Sequence, residues 1–377
     1  SDVLKNNLIE EYQVAVLVPA HNEELVIRDT LTSLLKLTNS WNIFVVSDGS
    51  SDSTGEIAKS YGVNVLELSP SHGKAGALDA CIKHFKIVEN YKAVILVDAD
   101  TRLKEDYIQK ALPFFNDPEV VAVAGYACTI WNPEKLSLKQ LLFVSHRDRV
   151  YFLFQVFVKF GQTWKYANVT SIVPGFASVY RTSILEHLDI NPKGLVIEDF
   201  NMTFEVHHKK LGKIAHHPSV VGYTQDPDNM RDYYKQVRRW HLGFWQTIRL
   251  HGVWPGKFWA AMTVTLFEVV LGSLVFLVTP VMIVISFMPP TWFNLAQWPW
   301  FLTSHYLMLS FFVGMWLSDY LLTILVAIIQ NRVQYLYVGL FFPFVRVLDA
   351  IAFLSAIPRA FFVRSNGKWV SPSRRAS

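Results

Sequence analysis

Five features follow one another along this 377-residue chain: Asp48, then Asp98-Ala99-Asp100, then Glu198-Asp199, then Gln236-Val237-Arg238-Arg239-Trp240, and last a long apolar region. Carboxylates two residues apart at the end of a strand point to the same side. Asp98 and Asp100 stand directly after the apolar run Val94-Ile95-Leu96-Val97, so one can face a ligand and the other a divalent cation. Asp48 closes a second such run, Ile43-Phe44-Val45-Val46. A cation held by carboxylates suits a reaction whose leaving group is a diphosphate, because it offsets the developing charge. Asp199, with Glu198 as alternative or orienting partner, suits a general base that takes a proton from an attacking hydroxyl. Gln236, Arg239 and Trp240 fall at i, i+3 and i+4 and share one helix face. There a guanidinium can pair with phosphate oxygens and an indole can lie against a sugar ring.

Isolated, each of these patterns is common. An acidic pair opening a helix is favoured by the helix dipole alone, and Arg and Trp beside an apolar region can serve as interfacial anchors. Their joint occurrence in this order is what points to transfer of a sugar from a nucleotide diphosphate beside a membrane. Three further stretches belong to the donor side. Pro19-Ala20-His21-Asn22-Glu23 ends the first strand, with Pro19, His21 and Glu23 near nucleobase or ribose. His72-Gly73-Lys74 opens a helix, with Lys74 a cation for nucleobase or phosphate. Asp52 follows Asp48 and reads as a helix cap.

The elements that must position these residues are legible up to about residue 130. Strands at 14–18, 43–46, 63–66, 93–97 and 120–124 alternate with helices at about 25–35, 53–61, 73–85 and 105–115. Such alternation predicts an α/β domain with a mostly parallel, Rossmann-like sheet, with ligands beyond the carboxyl ends of its strands. An aromatic-rich stretch at about 136–166, interrupted by His146-Arg147-Asp148-Arg149, reads either as an amphipathic helix at a membrane interface or as an internal helix.

Only 18% of residues are charged, against about 25% in an average soluble domain, and the deficit lies in the last third. Net charge is +4, too mild to imply nucleic acid. Two cysteines permit neither a disulfide framework nor a zinc site, which fits a reducing compartment. Stretches 258–288 and 301–329 are long and apolar enough to span a bilayer. The linker between them carries tryptophans and no Lys or Arg, whereas Arg332 and the basic tail from 364 to 377 follow. Asymmetry of this kind places the tail and the catalytic domain on the cytoplasmic side. Two spans satisfy it, so the third apolar segment, 335–363, with Pro343, Arg346, Asp349 and Pro358, reads as re-entrant, interfacial or broken. Glu268 and Asp319, ionisable residues within the apolar stretches, read as the wall of a polymer path or as helix-packing contacts. The expected organisation is an N-terminal segment 1–12, a catalytic domain 13–250, a membrane region 251–363 and a basic tail 364–377. The first residues contain no apolar stretch and no initiator Met, which leaves room for an upstream membrane segment.

Taken together, PAHNE (19–23), DGSSDST (48–54), HGKAGALD (72–79), DADT (98–101), PGFASVYR (174–181), IED (197–199) and QVRRW (236–240) resemble the processive, membrane-embedded family 2 glycosyltransferases. That family includes synthases of cellulose, chitin, hyaluronan and poly-N-acetylglucosamine. The resemblance implies a GT-A catalytic domain followed by interfacial helices and a C-terminal membrane bundle. It implies donor binding by Asp48 and Asp98, metal binding by Asp100 with Asp98, and Asp199 as base. Gln236 and Arg239 would hold the diphosphate, and Trp240 with Gly175 and Phe176 the acceptor. It further implies Mg²⁺ or Mn²⁺, a UDP-sugar donor, a growing polysaccharide acceptor, a bilayer, a small membrane partner subunit and a bacterial inner-membrane location. Phe342-Pro343, Ala356-Ile357-Pro358-Arg359 and Trp369-Val370-Ser371-Pro372 look like the end of bacterial poly-N-acetylglucosamine synthases, favouring UDP-N-acetylglucosamine. Phe200-Asn201-Met202 departs from the acidic-aliphatic run commoner at that place. Two alternatives are transfer of a single sugar to a polyprenyl phosphate, against which the QVRRW cluster argues, and an inactive export scaffold, against which the intact carboxylates argue.

Overall fold

The computed structural model describes residues 8–286, 288 and 305–363. The first seven residues, the tryptophan-bearing linker 289–300 and the basic tail 364–377 lie outside them, and so do the expectations that rest on those segments.

Eight strands form one sheet in the order β3-β2-β1-β4-β7-β6-β8-β5. They are β1 Val14–Ala20, β2 Ile43–Asp48, β3 Asn64–Leu68, β4 Ala93–Val97, β5 Arg102–Leu103, β6 Val120–Thr129, β7 Ala177–Arg181 and β8 Lys213–Thr224. The half from β3 to β4 is parallel, with Val16 of β1 opposite Ile43 and Ile95. Both faces of such strands must be covered, which explains their unbroken apolar runs. Alternation then sorts the side chains. Val14, Val16 and Val18 join Ile27, Leu31 and Leu34 of α1 (Ile27–Leu34) in one core. Ala15 and Leu17 join Ala77, Leu78 and Cys81 of α3 (Gly73–His84) in the other. Helix α2 spans Thr54–Ser60. Each fully buried Leu, Ile or Val contributes about 1.5–3 kcal/mol, so these two layers fix the strand ends on which the chemistry depends.

Beyond β4 the sheet becomes mixed. Strand β7 runs antiparallel to both β4 and β6, and β5 runs antiparallel to β8. Strands β6 and β8 again pair parallel, so the sheet is parallel in its first half and mixed in its second. Strand β7 is short and opens with Ala177-Ser178, small residues that give no strong strand signal but allow close packing.

Helix α4 (Leu138–Leu153) begins at Ser137, whose hydroxyl accepts the amide of Gln140 while Gln140 reaches back to Ser137, a reciprocal cap. A π-helical stretch, Phe154–Lys159, follows. Val156, Phe157, Phe160, Trp164 and Tyr166 are exposed there. Helix α5 is Glu198–His208 and α6 is Met230–His251, the latter capped by Asn229 and ended at Gly252 with φ 64°. Among the described residues three segments are long and apolar enough to cross a membrane: Lys257–Met282, Leu309–Gln330 and Tyr335–Phe362. The first two lie within α7 (Lys257–Ser286) and α8 (His305–Gln330). The third is interrupted by a tight turn at Gly339–Phe341 before α9 (Phe342–Phe362). Its length and composition do not separate it from a full span. Glu268 is exposed on the apolar surface of α7, whereas Asp319 is buried inside the protein.

Candidate active site

Strands β2, β1 and β4 lie side by side and parallel, so the residues after them share one edge of the sheet. Asp48, fully buried at the end of β2, accepts hydrogen bonds from Ser71 Oγ (2.7 Å), His72 N (2.7 Å) and Gly73 N (2.9 Å). Both its oxygens are thus used to pin the loop that opens α3. Gly49 permits this: its φ is 64°, and a Cβ there would stand 2.9 Å from Ser71 N. His21 Nδ1 lies 2.6 Å from the carbonyl oxygen of Asp48, joining the end of β1 to that of β2. Pro19 is buried inside β1, and Glu23 is buried with its amide on Thr54 Oγ1.

The pinned loop delivers Lys74. Its ammonium is 2.7 Å from Asp98 Oδ1 and 3.0 Å from Glu198 Oε1, where the pairing is by charge without an aligned hydrogen bond. Burial works against that ammonium, but Asp98 and Glu198 outweigh it and hold its pKa above the usual lysine value. One cation therefore bridges the DxD loop and the acidic pair, 124 positions apart in sequence between Lys74 and Glu198.

Asp199 stands beside this bridge. It accepts the amides of Phe200 (2.7 Å) and Gly175 (3.3 Å), and its pKa is pushed up to about 7 by burial and by the Glu198 carboxylate. That is the protonation behaviour a general base needs near neutrality. Gly175 has to be small: a Cβ there would lie 3.1 Å from both Glu198 Oε1 and Lys74 Nζ. The neighbouring Phe176 packs its ring against the core, and its carbonyl accepts the amide of Asp98 (3.2 Å). So 174–177 is a backbone strap that holds the DxD loop and the acidic pair together.

Asp98 and Asp100 fit half of a metal site. Asp98 gives one oxygen to Lys74, and Asp100 sits two residues on. Among the described residues no group of three or more His, Cys, Asp or Glu is gathered tightly enough to hold an ion by itself. A hard dication completed by phosphate oxygens and water needs no more than one or two carboxylates from the protein, so the residues present suit Mg²⁺ or Mn²⁺ bound together with a diphosphate.

Helix α6, which carries QVRRW, packs beside the acidic pair, with Phe244 against Phe200 at 5.4 Å between ring centres. Gly243, one turn beyond Trp240, lets α6 press on Ile197, to which a Cβ would approach within 2.9 Å. Among the described residues Arg239 has no hydrogen-bond or ion-pair partner and is partly exposed. Trp240 and Gln236, by contrast, are held. Arg147 of α4 donates to Gln236 Oε1 (3.2 Å) and lies 4.4 Å from the centre of the Trp240 ring.

That arginine belongs to a set whose partners the sequence did not disclose. His146, Arg147, Asp148 and Arg149 are all buried although consecutive, so α4 is enclosed on every side. His146 meets Tyr233 OH (3.0 Å), which donates to Asp349 (2.8 Å). Asp148 accepts from Tyr335 OH (2.6 Å) and pairs with Arg332 (3.3 Å). Arg149 and Arg346 both engage Asp319, at 2.8 and 2.6 Å. Charged residues interrupting an apolar aromatic stretch were the only available signal. Two more buried groups went unnoticed: Lys159, whose amine burial brings down to about 7, and Asp226, pushed up to about 7 by burial while accepting from Thr129 (2.7 Å) and Tyr151 (3.1 Å).

Residues 15–189 match the family model described as glycosyl transferase family 2. The chain is 30% identical over 252 residues to a probable glycosyltransferase, YdaM, of Bacillus subtilis, covering 63% of this chain and 57% of that protein. It is 26% identical over 255 residues to the poly-beta-1,6-N-acetyl-D-glucosamine synthase of Staphylococcus epidermidis, again over 63% and 57%. The match thus spans little more than half the length of these relatives. Among solved structures it resembles the mannosyltransferase PcManGT of Pyrobaculum calidifontis, which was solved with GDP-Man and Mn²⁺. That likeness covers 93% of this chain and 87% of the other at 15% identity and a TM-score of 0.53. Residues 15–189 thus match glycosyl transferase family 2, and the likeness to PcManGT gives the domain that holds them the GT-A fold.

Proposed function

We propose that the chain is an inverting, metal-dependent β-glycosyltransferase that polymerises a UDP-sugar and passes the product into its own membrane helices. The observation that carries this reading is the cluster Asp98–Lys74–Glu198 with Asp199 beside it; helix α6, packed on Ile197 at Gly243, carries Gln236, Arg239 and Trp240. UDP-N-acetylglucosamine is the donor we favour, supported by the relation to the staphylococcal synthases and by the C-terminal motifs.

In this mechanism the acceptor hydroxyl oxygen attacks the anomeric carbon of the donor. The bond from that carbon to the diphosphate breaks and its electron pair leaves with UDP. Asp199 takes the hydroxyl proton. Glu198, held by Lys74, keeps the Asp199 carboxyl basic enough to accept it. Asp98 and Asp100 would hold the divalent ion, which offsets the charge of the leaving diphosphate. Arg239, without a protein partner among the described residues, is assigned to that diphosphate. Asp48 is assigned to the donor side, where it also fixes the loop of Lys74, and His21 lines the nucleoside side with Pro19 and Glu23. Trp240, with Gly175 and Phe176, is assigned to the end of the acceptor. The three apolar helices would sit in a bacterial plasma membrane, with the catalytic domain on its cytoplasmic side.

The test is purified protein in detergent or nanodiscs with Mg²⁺ or Mn²⁺ and a panel of UDP-sugars, measuring UDP release and product length. Long polymer from UDP-N-acetylglucosamine is expected. Single-sugar lipid products would favour transfer to a polyprenyl phosphate, and no turnover with any donor would overturn the enzyme reading.

A further inference from the structure

We propose that Arg147 is a positioning residue that holds the Trp240 indole and the Gln236 amide in the geometry that receives the acceptor. The inference rests on the acceptor role given to Trp240 above. Arg147 is only 3% exposed, yet its guanidinium is not within ion-pair distance of any carboxylate among the described residues. Asp226 and Asp349 lie near enough to favour its charge, but the groups that touch it are π faces. The guanidinium carbon lies 4.4 Å from the ring centre of Trp240, 4.6 Å from that of Tyr233 and 5.7 Å from that of Tyr151. Its one hydrogen bond to a side chain goes to Gln236 Oε1 (3.2 Å), and its Nε, also buried, has no partner. Gln236 and Trp240 are one turn apart on α6, so a single rigid, planar cation touches both.

A purely structural role would be served as well by an apolar side chain. Replacing a buried ion by a well-packed hydrophobic residue is often neutral or stabilising. Retaining a guanidinium between three aromatic rings makes sense where ring orientation matters, since attraction to the ring face is directional. Tyr151 strengthens this: its ring lies 6.4 Å from that of Trp240, and its hydroxyl donates to Asp226 (3.1 Å). Trp240 remains partly exposed, so a sugar meets the surface that the guanidinium does not cover. The helix that carries Arg147 is in turn fixed on both sides of it, by His146 through Tyr233 and by Arg149 through Asp319.

The test is a double-mutant cycle on the full chain with R147M, R147K, W240A and R147M/W240A. Initial rates are read with UDP-N-acetylglucosamine and a β-1,6-linked N-acetylglucosamine tetrasaccharide, and repeated with UDP-glucose and cellotetraose. We expect R147M to raise the acceptor KM by about tenfold, with kcat lowered less, UDP affinity within about twofold and thermal stability unchanged. R147K should recover part of the loss. In the W240A background R147M should add less than about twofold, because its effect passes through the indole. Full additivity of the two substitutions, or an unchanged acceptor KM in R147M alongside a strong W240A effect, would overturn this inference alone. W240A without effect on acceptor KM would overturn the acceptor reading and this inference with it. A loss of folding in R147M matched by normal folding and normal acceptor KM in R147K would reduce Arg147 to a packing residue.

Discussion

The proposed donor edge and the proposed acceptor side of this protein are built in opposite ways. At the donor edge, Asp48 and Asp98 stand at the ends of short buried strands, the loop of Lys74 follows the half-buried edge strand β3, and backbone amides and one lysine complete the arrangement. On the acceptor side, Gln236 and Trp240 owe their setting to α4, whose residues 146–149 reach Tyr233 and Gln236 on α6, Asp319 on α8 and Tyr335 in the segment before α9. The first region is a set of strand ends that would look much the same without a membrane. The second has no meaning without the C-terminal helices. A domain of this fold can therefore keep its donor chemistry while its acceptor geometry depends on how membrane helices pack.

Breaking the ion pairs that tie α4 and α9 to α8 should cost mainly stability. Asp319→Ala leaves Arg149 and Arg346 without their shared carboxylate, and removing one partner of a buried pair costs about 3–5 kcal/mol. Thermal unfolding in detergent should show a clear fall in midpoint, and substituting Arg149 and Asp319 together by Met and Leu should restore much of it. Breaking the donor edge should cost mainly rate. Lys74→Met removes the cation between Asp98 and Glu198, and turnover should fall by about a hundredfold or more while the fold survives. Equal loss of stability in both variants would erase the contrast.

A pH profile sharpens it further. The pKa of Asp199 is pushed up to about 7, so its carboxyl is protonated below that value and cannot accept a proton. Transfer should fall about tenfold per unit as pH drops below neutrality, with UDP binding little changed. Smallest in effect is Gly49→Ala. Its φ of 64° and the 2.9 Å approach to Ser71 N should cost about 1–2 kcal/mol of stability and weaken donor affinity rather than acceptor affinity.

The contrast also explains what could be read from the chain. Asp48 and Asp98 were legible because a strand signal and its terminal carboxylate are contiguous. The Lys74–Glu198 pairing was not, since nothing local to Lys74 reports a carboxylate brought back by the strap at Gly175. Arg147 meets Gln236 across 89 positions and Arg149 meets Asp319 across 170. Such contacts are created by helix packing, and a sequence shows only that charges interrupt an apolar stretch. The mixed half of the sheet escaped for a related reason. Strand β7 is inserted between β4 and β6 from far along the chain, and its small residues signal packing rather than extended structure.

The most direct measurement is Asp199→Asn, assayed in parallel for sugar transfer and for UDP binding. The side chain keeps its size and one oxygen acceptor but cannot take a proton. Transfer should be lost by about a thousandfold or more with UDP affinity retained within a fewfold. Loss of UDP binding together with transfer would instead make Asp199 a donor-site residue and contradict its assignment as the base.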